Sequence, residues 1–207
     1  AQGLEDMNML RMNIGIEHGN ADYREKYLSR RVSDKMMINA FKMVADKDYT
    51  TVANSIIGMP DETRGLIFDT INLSRSLPDQ VDATGAFIWA PYHGTPLRDL
   101  AVKKGYVSDE KIASISNCAR SMLTMPSISQ DEIQGLARTF SFYVKFPEER
   151  YPEIKIAEKF NLKVTKLEPA LVPLTFDKDI LDFCKSLAGV SLNASVSINK
   201  ITFEEGL

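Results

Sequence analysis

Five polar side chains in the first half of the chain could share one piece of chemistry: Glu17, Arg30, Asn54, Tyr92 and His93. Glu17 closes the apolar run Met12-Asn-Ile-Gly-Ile-Glu17, which reads as a buried strand, and His18, Gly19 and Asn20 carry the chain into a loop. Asn54 belongs to a second strand pattern, and Tyr92 and His93 follow a third. Carboxylates and amides bond ribose hydroxyls or amines, and an arginine forks onto a carboxylate. In parallel α/β sheets ligands bind at the carboxyl ends of strands, so groups that converge there count for more than any single motif. The same positions also suit a structural ion pair between Glu17 and a nearby arginine. His18 and His93 lack a third ligand at close spacing, so they do not read as a metal site.

The elements that must position these groups alternate. Asn20 is placed to cap a helix through Leu28, with Asp22 in its first turn. Ser33 is placed to cap a second helix, in which Met36, Met37, Ala40, Phe41, Val44 and Ala45 recur as one core-facing stripe. Thr50 to Gly58 is the next strand, stopped by Gly58-Met-Pro-Asp61. A helix from Thr63 to Leu77 turns Leu66, Ile67, Thr70 and Ile71 inward and ends at Pro78. Ala83 to Ala90 is a third strand, apolar enough to be buried on both faces, and Leu97 to Lys104 is a helix ended by Gly105. Parallel strands need crossover helices, so the alternation predicts an α/β fold of three βα units over residues 1–105.

Beyond residue 105 the pattern turns helical. Ser108 to Met122 and Ser129 to Phe146 read as helices, the second opened by a capping box of Ser129 and Glu132. Phe140, Phe142, Tyr143 and Phe146 then pack on the preceding sheet. Pro147 and Pro152 mark a linker, followed by a short helix from Ile154 to Phe160 and a strand at Leu162 to Leu167. Asp177 to Leu187 is a last helix, and Leu192, Ala194, Val196 and Ile198 alternate with polar residues as a half-buried terminal strand. Residues 106–207 thus read as a mostly helical C-terminal appendage.

Composition narrows the classes. Lys and Arg total 25 against 28 Asp and Glu, so a net charge of -3 gives no basic field for nucleic acid. No apolar run is long enough to span a bilayer, and the first residues lack a signal-peptide pattern. Cys118 and Cys184 lie far apart without metal or redox spacing and read as reduced thiols of a cytoplasmic protein.

Three motifs in order carry a resemblance: Ile14-Gly-Ile-Glu-His-Gly-Asn20 with Leu28-Ser-Arg30, Asn54-Ser-Ile-Ile-Gly-Met-Pro-Asp-Glu-Thr63, and Pro91-Tyr-His-Gly-Thr-Pro-Leu97. Together they resemble the second half of a radical S-adenosylmethionine enzyme, closest to the branch with a cobalamin-binding domain that includes the anaerobic magnesium-protoporphyrin ester cyclase. The resemblance implies strands four to six of a partial TIM-like (βα)6 barrel. It implies Glu17 and Asn54 at the cofactor's ribose, and Arg30 rather than Arg31 on its methionine carboxylate. It also implies Ile56, Gly58 and Met59 near the adenine with Ala90 and Pro91 beside it, while Tyr92 and His93 face a small organic substrate.

The family's Cys-x-x-x-Cys-x-x-Cys loop, which holds a 4Fe-4S cluster on three thiolates, has no counterpart in the sequence. The expectation is therefore a fragment that supplies cofactor contacts, is inactive alone, and needs an N-terminal half of the barrel, with cobalamin use left open. A barrel cut before strand four bares the Met12 to Ile16 edge, so self-association or coverage by the tail strand is expected. The rival reading is a non-catalytic βα-barrel remnant that serves as a binding or assembly module, with Glu17 and Arg30 as a structural pair.

Overall fold

The computed structural model describes residues 10–113 and 120–159. The chain divides into two compact units, Ala1–Asn161 and Leu162–Leu207, and every described residue lies in the first. Strands β1 (Arg11–Glu17), β2 (Thr50–Ile57) and β3 (Val81–Ile88) form a parallel sheet in the order β1-β2-β3. Between them run α1 (Ala21–Leu28), α2 (Asp34–Ala45) and α3 (Arg64–Arg75), so the expected βα alternation with parallel pairing is present. After β3 come α4 (Pro96–Lys103), α5 (Gln130–Lys145), a 3-10 turn at Glu148–Arg150 and α6 (Tyr151–Ala157).

Each early helix starts where its cap residue dictates. The side chain of Asn20 accepts from Tyr23 N at 2.9 Å, that of Ser33 from Met36 N at 3.3 Å, and that of Thr63 from Leu66 N at 3.3 Å. Sequential strand order with right-handed crossovers directs successive helices to one face of the sheet. That face packs Ile16, Ala53, Val81 and Ala83 against Met37 and Phe41 of α2 and Leu73 of α3. Burying Phe41, only 1% exposed, contributes about 1.5–3 kcal/mol. The opposite face presents Asn13, Gly15, Glu17, Asn54, Gly85 and Phe87, all exposed or half-buried, with Phe87 52% exposed.

Several expectations need correction. In β1 only Ile16 is buried, because among the described residues β1 pairs with β2 alone and lies at a sheet edge. The ladder of β3 lies two residues earlier than its apolar run suggested, and the strand is buried on one face rather than both. Met36 and Ala40 face solvent, Met36 at 61% exposed, since the core stripe of α2 runs through Met37 and Phe41. The helix expected from Ser108 to Met122 is absent at 108–113 and 120–122, and the residues between lie outside the described ones. The reason is the buried Arg98, whose guanidinium takes the carbonyls of Asp109 at 2.6 Å and Lys111 at 3.5 Å that a helix would have used. Pro152 sits in the first turn of α6 rather than in a linker, a position that needs no amide hydrogen, and so this helix begins earlier than expected. Of the capping box only half forms: Ser129 Oγ accepts from Glu132 N at 3.1 Å, while the Glu132 carboxylate turns to Arg64. The strands expected at Leu162 to Leu167 and Leu192 to Ile198, the helix from Asp177, and both cysteines lie outside the described residues.

The boundary expected after residue 105 falls inside the first unit, because α5 packs on β3 and α3. Phe140 and Tyr143 are sealed there as expected of them. Two arginines of α3, not the aromatic run alone, tie this region down. Arg75 Nη1 donates to the carbonyls of Tyr143 at 2.8 Å and Phe146 at 2.6 Å, placing a cation at the negative end of α5. Arg64 bonds Glu132 Oε1 at 3.1 Å and both oxygens of Glu158, at 2.8 and 2.6 Å. Burial and Glu158 push the Tyr143 hydroxyl up, and it donates to the same carboxylate.

Candidate functional site

The three strands run the same way, so their carboxyl ends share one rim. At that rim Glu17 adopts a left-handed φ of 64°, a conformation that costs a non-glycine residue about 1 kcal/mol or more. The turn brings its carboxylate back over Gly15, where a Cβ would lie 2.2 Å from Glu17 Oε1. Gly15 is thus the residue that makes room for this carboxylate. Arg30 Nη1 lies 3.4 Å from the same oxygen, and its Nη2 donates to Gly15 O at 2.7 Å. Both side chains remain about a third exposed. Arg31 instead pairs with Glu25 on the surface at 3.0 Å.

Asn54 is half-buried on the open face and stands between two glycines: Gly15 is its ladder partner on β1 and Gly85 its partner on β3. A Cβ at Gly85 would meet nothing within 4 Å. Gly85 therefore leaves space for another group to approach the backbone closely, whereas the space over Gly15 holds the Glu17 carboxylate. Two residues on, Ile56 pairs with Phe87 and packs in part against the buried cluster of Tyr23, Met59 and Leu97.

The other predicted contacts sit differently. Gly58 and Met59 form the turn after β2, Gly58 at φ 79° with Ile133 against it, and Met59 is buried with Tyr23 and Leu97. Ala90 and Pro91 are also buried, whereas Tyr92 and His93 are exposed on the loop after β3. His18 does not reach the open face. Its ring is fully buried, stacked on Tyr23 at 4.1 Å, with Nδ1 accepting from Asn20 N at 3.0 Å. The ring hydrogen therefore lies on Nε2, which sits 3.1 Å from Glu62 Oε1.

Glu62 is the group that residue-type reasoning passed over. It is fully buried, and its Oε2 accepts from the amides of Gly58 and Met59, the latter at 3.0 Å. The signal was available: a carboxylate between the Gly-x-Pro turn and the helix-capping Thr63 is placed to bond that turn's amides. Arg24 is the second. Its buried guanidinium donates to His18 O at 2.7 Å, Val32 O at 2.9 Å and Asp34 Oδ1 at 2.5 Å, which anchors the loop that presents Arg30.

Asp61, at φ 62°, ties the rim's outer layer together. Its carboxylate accepts from Tyr27 at 2.7 Å, Tyr106 at 2.7 Å and Lys104 at 2.5 Å. Partial burial would raise its pKa, but the bonds from Lys104, Tyr106 and Tyr27 outweigh that and hold it at about 2. After discounting for solvent screening, the depressed value contributes about 1–2 kcal/mol. The sign follows from a folded value below the unfolded one of about 3.9. This stability is present above that value and is lost as pH falls through about 2. Asp61→Asn, which tolerates the left-handed turn, is expected to flatten the acid limb of a thermal-melt pH profile and to cost about 1 kcal/mol at neutral pH.

Two clefts, of about 370 and 390 Å³, lie on the helical side, one lined by Asp34, Asp69 and Asn72 and the other by Arg64, Arg138 and Glu158. Neither includes Glu17 or Asn54. Among the described residues no group of three His, Cys, Asp or Glu side chains could hold a metal ion, and no helix is long and apolar enough to cross a membrane. The site is thus, among the described residues, a polar patch on the face of the parallel sheet opposite α2 and α3. No protein-family model matches the chain, and no curated protein matches it.

Proposed function

We propose that the open sheet face binds S-adenosylmethionine as the second half of a radical S-adenosylmethionine barrel. The observation that carries the reading is the row Gly15, Asn54, Gly85, with Glu17 and Arg30 beside it at the carboxyl end of β1. Glu17 and Asn54 would bond the ribose hydroxyls and Arg30 the methionine carboxylate. Adenine contact falls to Ile56, with Phe87 next to it, because Met59, Ala90 and Pro91 are buried. Tyr92 and His93 would face a small organic substrate. Among the described residues no group of side chains could hold an iron-sulfur cluster, and under this reading a complementary N-terminal half would supply its ligands. With that half present the reaction would be reductive cleavage of the cofactor and hydrogen abstraction from substrate; by itself this chain would bind and not cleave. Cobalamin, if the parent uses it, would be held outside this chain.

A second reading is favoured by one specific contact. Arg30 and Glu17 satisfy each other, as they would in a non-catalytic βα module. Amide NMR of the chain titrated with S-adenosylmethionine separates the two. The first reading expects shifts at Gly15, Asn54 and Gly85, abolished by Glu17→Gln while stability changes by less than about 1 kcal/mol, since an exposed pair contributes little. Absence of shifts at millimolar ligand would leave the module.

A further inference from the structure

The edge strand β1 reads as its own complement. Its sequence Arg-Met-Asn-Ile-Gly-Ile-Glu starts in a cation and ends in an anion. In an antiparallel pair of two such strands centred on Ile14, Arg11 of each copy faces the end of the other strand, where the irregularity between Gly15 and Glu17 and the left-handed φ of Glu17 carry its carboxylate back over Gly15 on the open face. Met12 then meets Ile16, and Ile14 meets itself. Side-chain parity is kept: the apolar residues of both copies share the helix-covered face, and the charged ones share the open face. Arg11 is exposed, and the Glu17 carboxylate, a third exposed and held by Arg30 at 3.4 Å, has room for a second cation.

The helix above this edge has an exposed apolar flank on the same side. Asp34 and Ile38 of α2 line a cleft with Asp69, Asn72 and Leu73 of α3, which identifies the flank of α2 that faces α3. Met37 and Phe41 point into the core. By the 100° step of a helix, Met36, Ala40 and Met43 occupy the flank opposite α3, the one beyond β1. They are exposed, Met36 at 61% and Met43 at 66%. Among the described residues β1 pairs with β2 alone, and an apolar stripe beside such an edge is a pairing surface for something that supplies both a strand and a helix flank.

We infer that this surface pairs with the same surface of a second copy, giving a twofold dimer with one continuous six-stranded sheet and α2 packed on its partner's α2. Spacing agrees: strands about 4.8 Å apart put two helices, each lying over its own β1 and β2, about 10 Å apart, a normal helix-packing distance. Such an interface is isologous, so each favourable pair occurs twice. The inference goes beyond the ligand reading and is tested without ligand; under that reading a complementary half would compete for the same edge.

The test is sedimentation equilibrium of the full 207-residue chain. The wild-type chain is expected to be a dimer at micromolar concentration. Arg11→Glu and Glu17→Lys each place like charges together at both ends of the paired strands and are expected to weaken the dimer at least about tenfold. An equimolar mixture of the two restores opposite charges at both ends and should recover the dimer as a heterodimer. Met36→Glu combined with Met43→Glu, at exposed positions that leave the far-ultraviolet circular dichroism unchanged, is expected to give monomer. A wild-type monomer at about 100 μM overturns the inference. So does dimerisation that ignores the charge reversals, or a mixture that fails to restore it.

Discussion

Glu62→Ala is expected to cost the fold about 3–5 kcal/mol, the largest single effect in the described structure. The carboxylate is fully buried; one oxygen accepts from the amides of Gly58 and Met59, and the other lies 3.1 Å from Nε2 of His18. Gly58 needs its left-handed φ to make the turn, with Ile133 packed against it, so water cannot simply replace the lost acceptor. Removal would orphan two backbone amides at the end of β2 and leave His18 without its partner. Glu62→Gln keeps the volume and one acceptor and is expected to cost less, about 1–2 kcal/mol. Burial pushes the Glu62 carboxyl up, against the opposing pull of His18 and the two amides. With a folded value above the unfolded one, its favourable contribution is complete below the unfolded value of about 4.3 and is lost as pH rises through the folded value. Urea unfolding across pH 4 to 8 checks the sign: the stability of the wild-type chain relative to Glu62→Gln should fall as pH rises. A gap that widens with pH would mean that the carboxylate is stabilised in its charged form by the turn.

The second large effect is at Arg24. Arg24→Met preserves most of the buried volume but strands the carbonyls of His18 and Val32, and about 3–4 kcal/mol of destabilisation is expected. The ion pair with Asp34 is the smaller part, because the Asp34 side chain is 49% exposed. Asp34→Ala is therefore expected to cost no more than about 1 kcal/mol. Equal costs at the two positions would show that the charge pair, not the carbonyl ties, holds the loop. The consequence for the site is positional. The loop between α1 and α2 carries Arg30, whose amide donates to Arg24 O at 3.0 Å, and it is the loop that aims the guanidinium at Glu17. In Arg24→Met, hydrogen exchange at Arg30 and Val32 should rise well before global unfolding, whereas Glu62→Ala should loosen Gly58 and Met59 first.

The two residues share a cause. Each satisfies backbone groups that bend away from regular structure where a strand hands over to a helix. A parallel sheet concentrates such junctions at one rim, so the polar groups of the open face rest on a buried polar layer. Glu17 and Asn54 are the visible part; Arg24, His18 and Glu62 hold the junctions beneath them.

Local chemistry made much of this legible in the residues alone. The caps at Asn20, Ser33, Thr63 and Ser129 begin helices where a side-chain oxygen can serve an amide three residues on, an interaction confined to the segment itself. The alternation of strands and helices required parallel pairing, and parallel pairing brought Glu17 and Asn54 to one face with Arg30 beside them. What only the tertiary structure decided are matters of which side and which partner. Met36 and Met37 have equal hydrophobicity, yet one is exposed and the other buried, because the direction of α2 is set by the sheet and by α3. Residues 108–113 are no helix because Arg98, ten or more residues earlier, claims carbonyls there. His18 faces Glu62 rather than a ligand because the turn after β2 folds beneath β1, a contact between residues 44 apart in sequence that no local pattern encodes. Periodicity and capping act over a few residues and can be read from them; burial and charge pairing are settled by residues that meet only when the chain is folded.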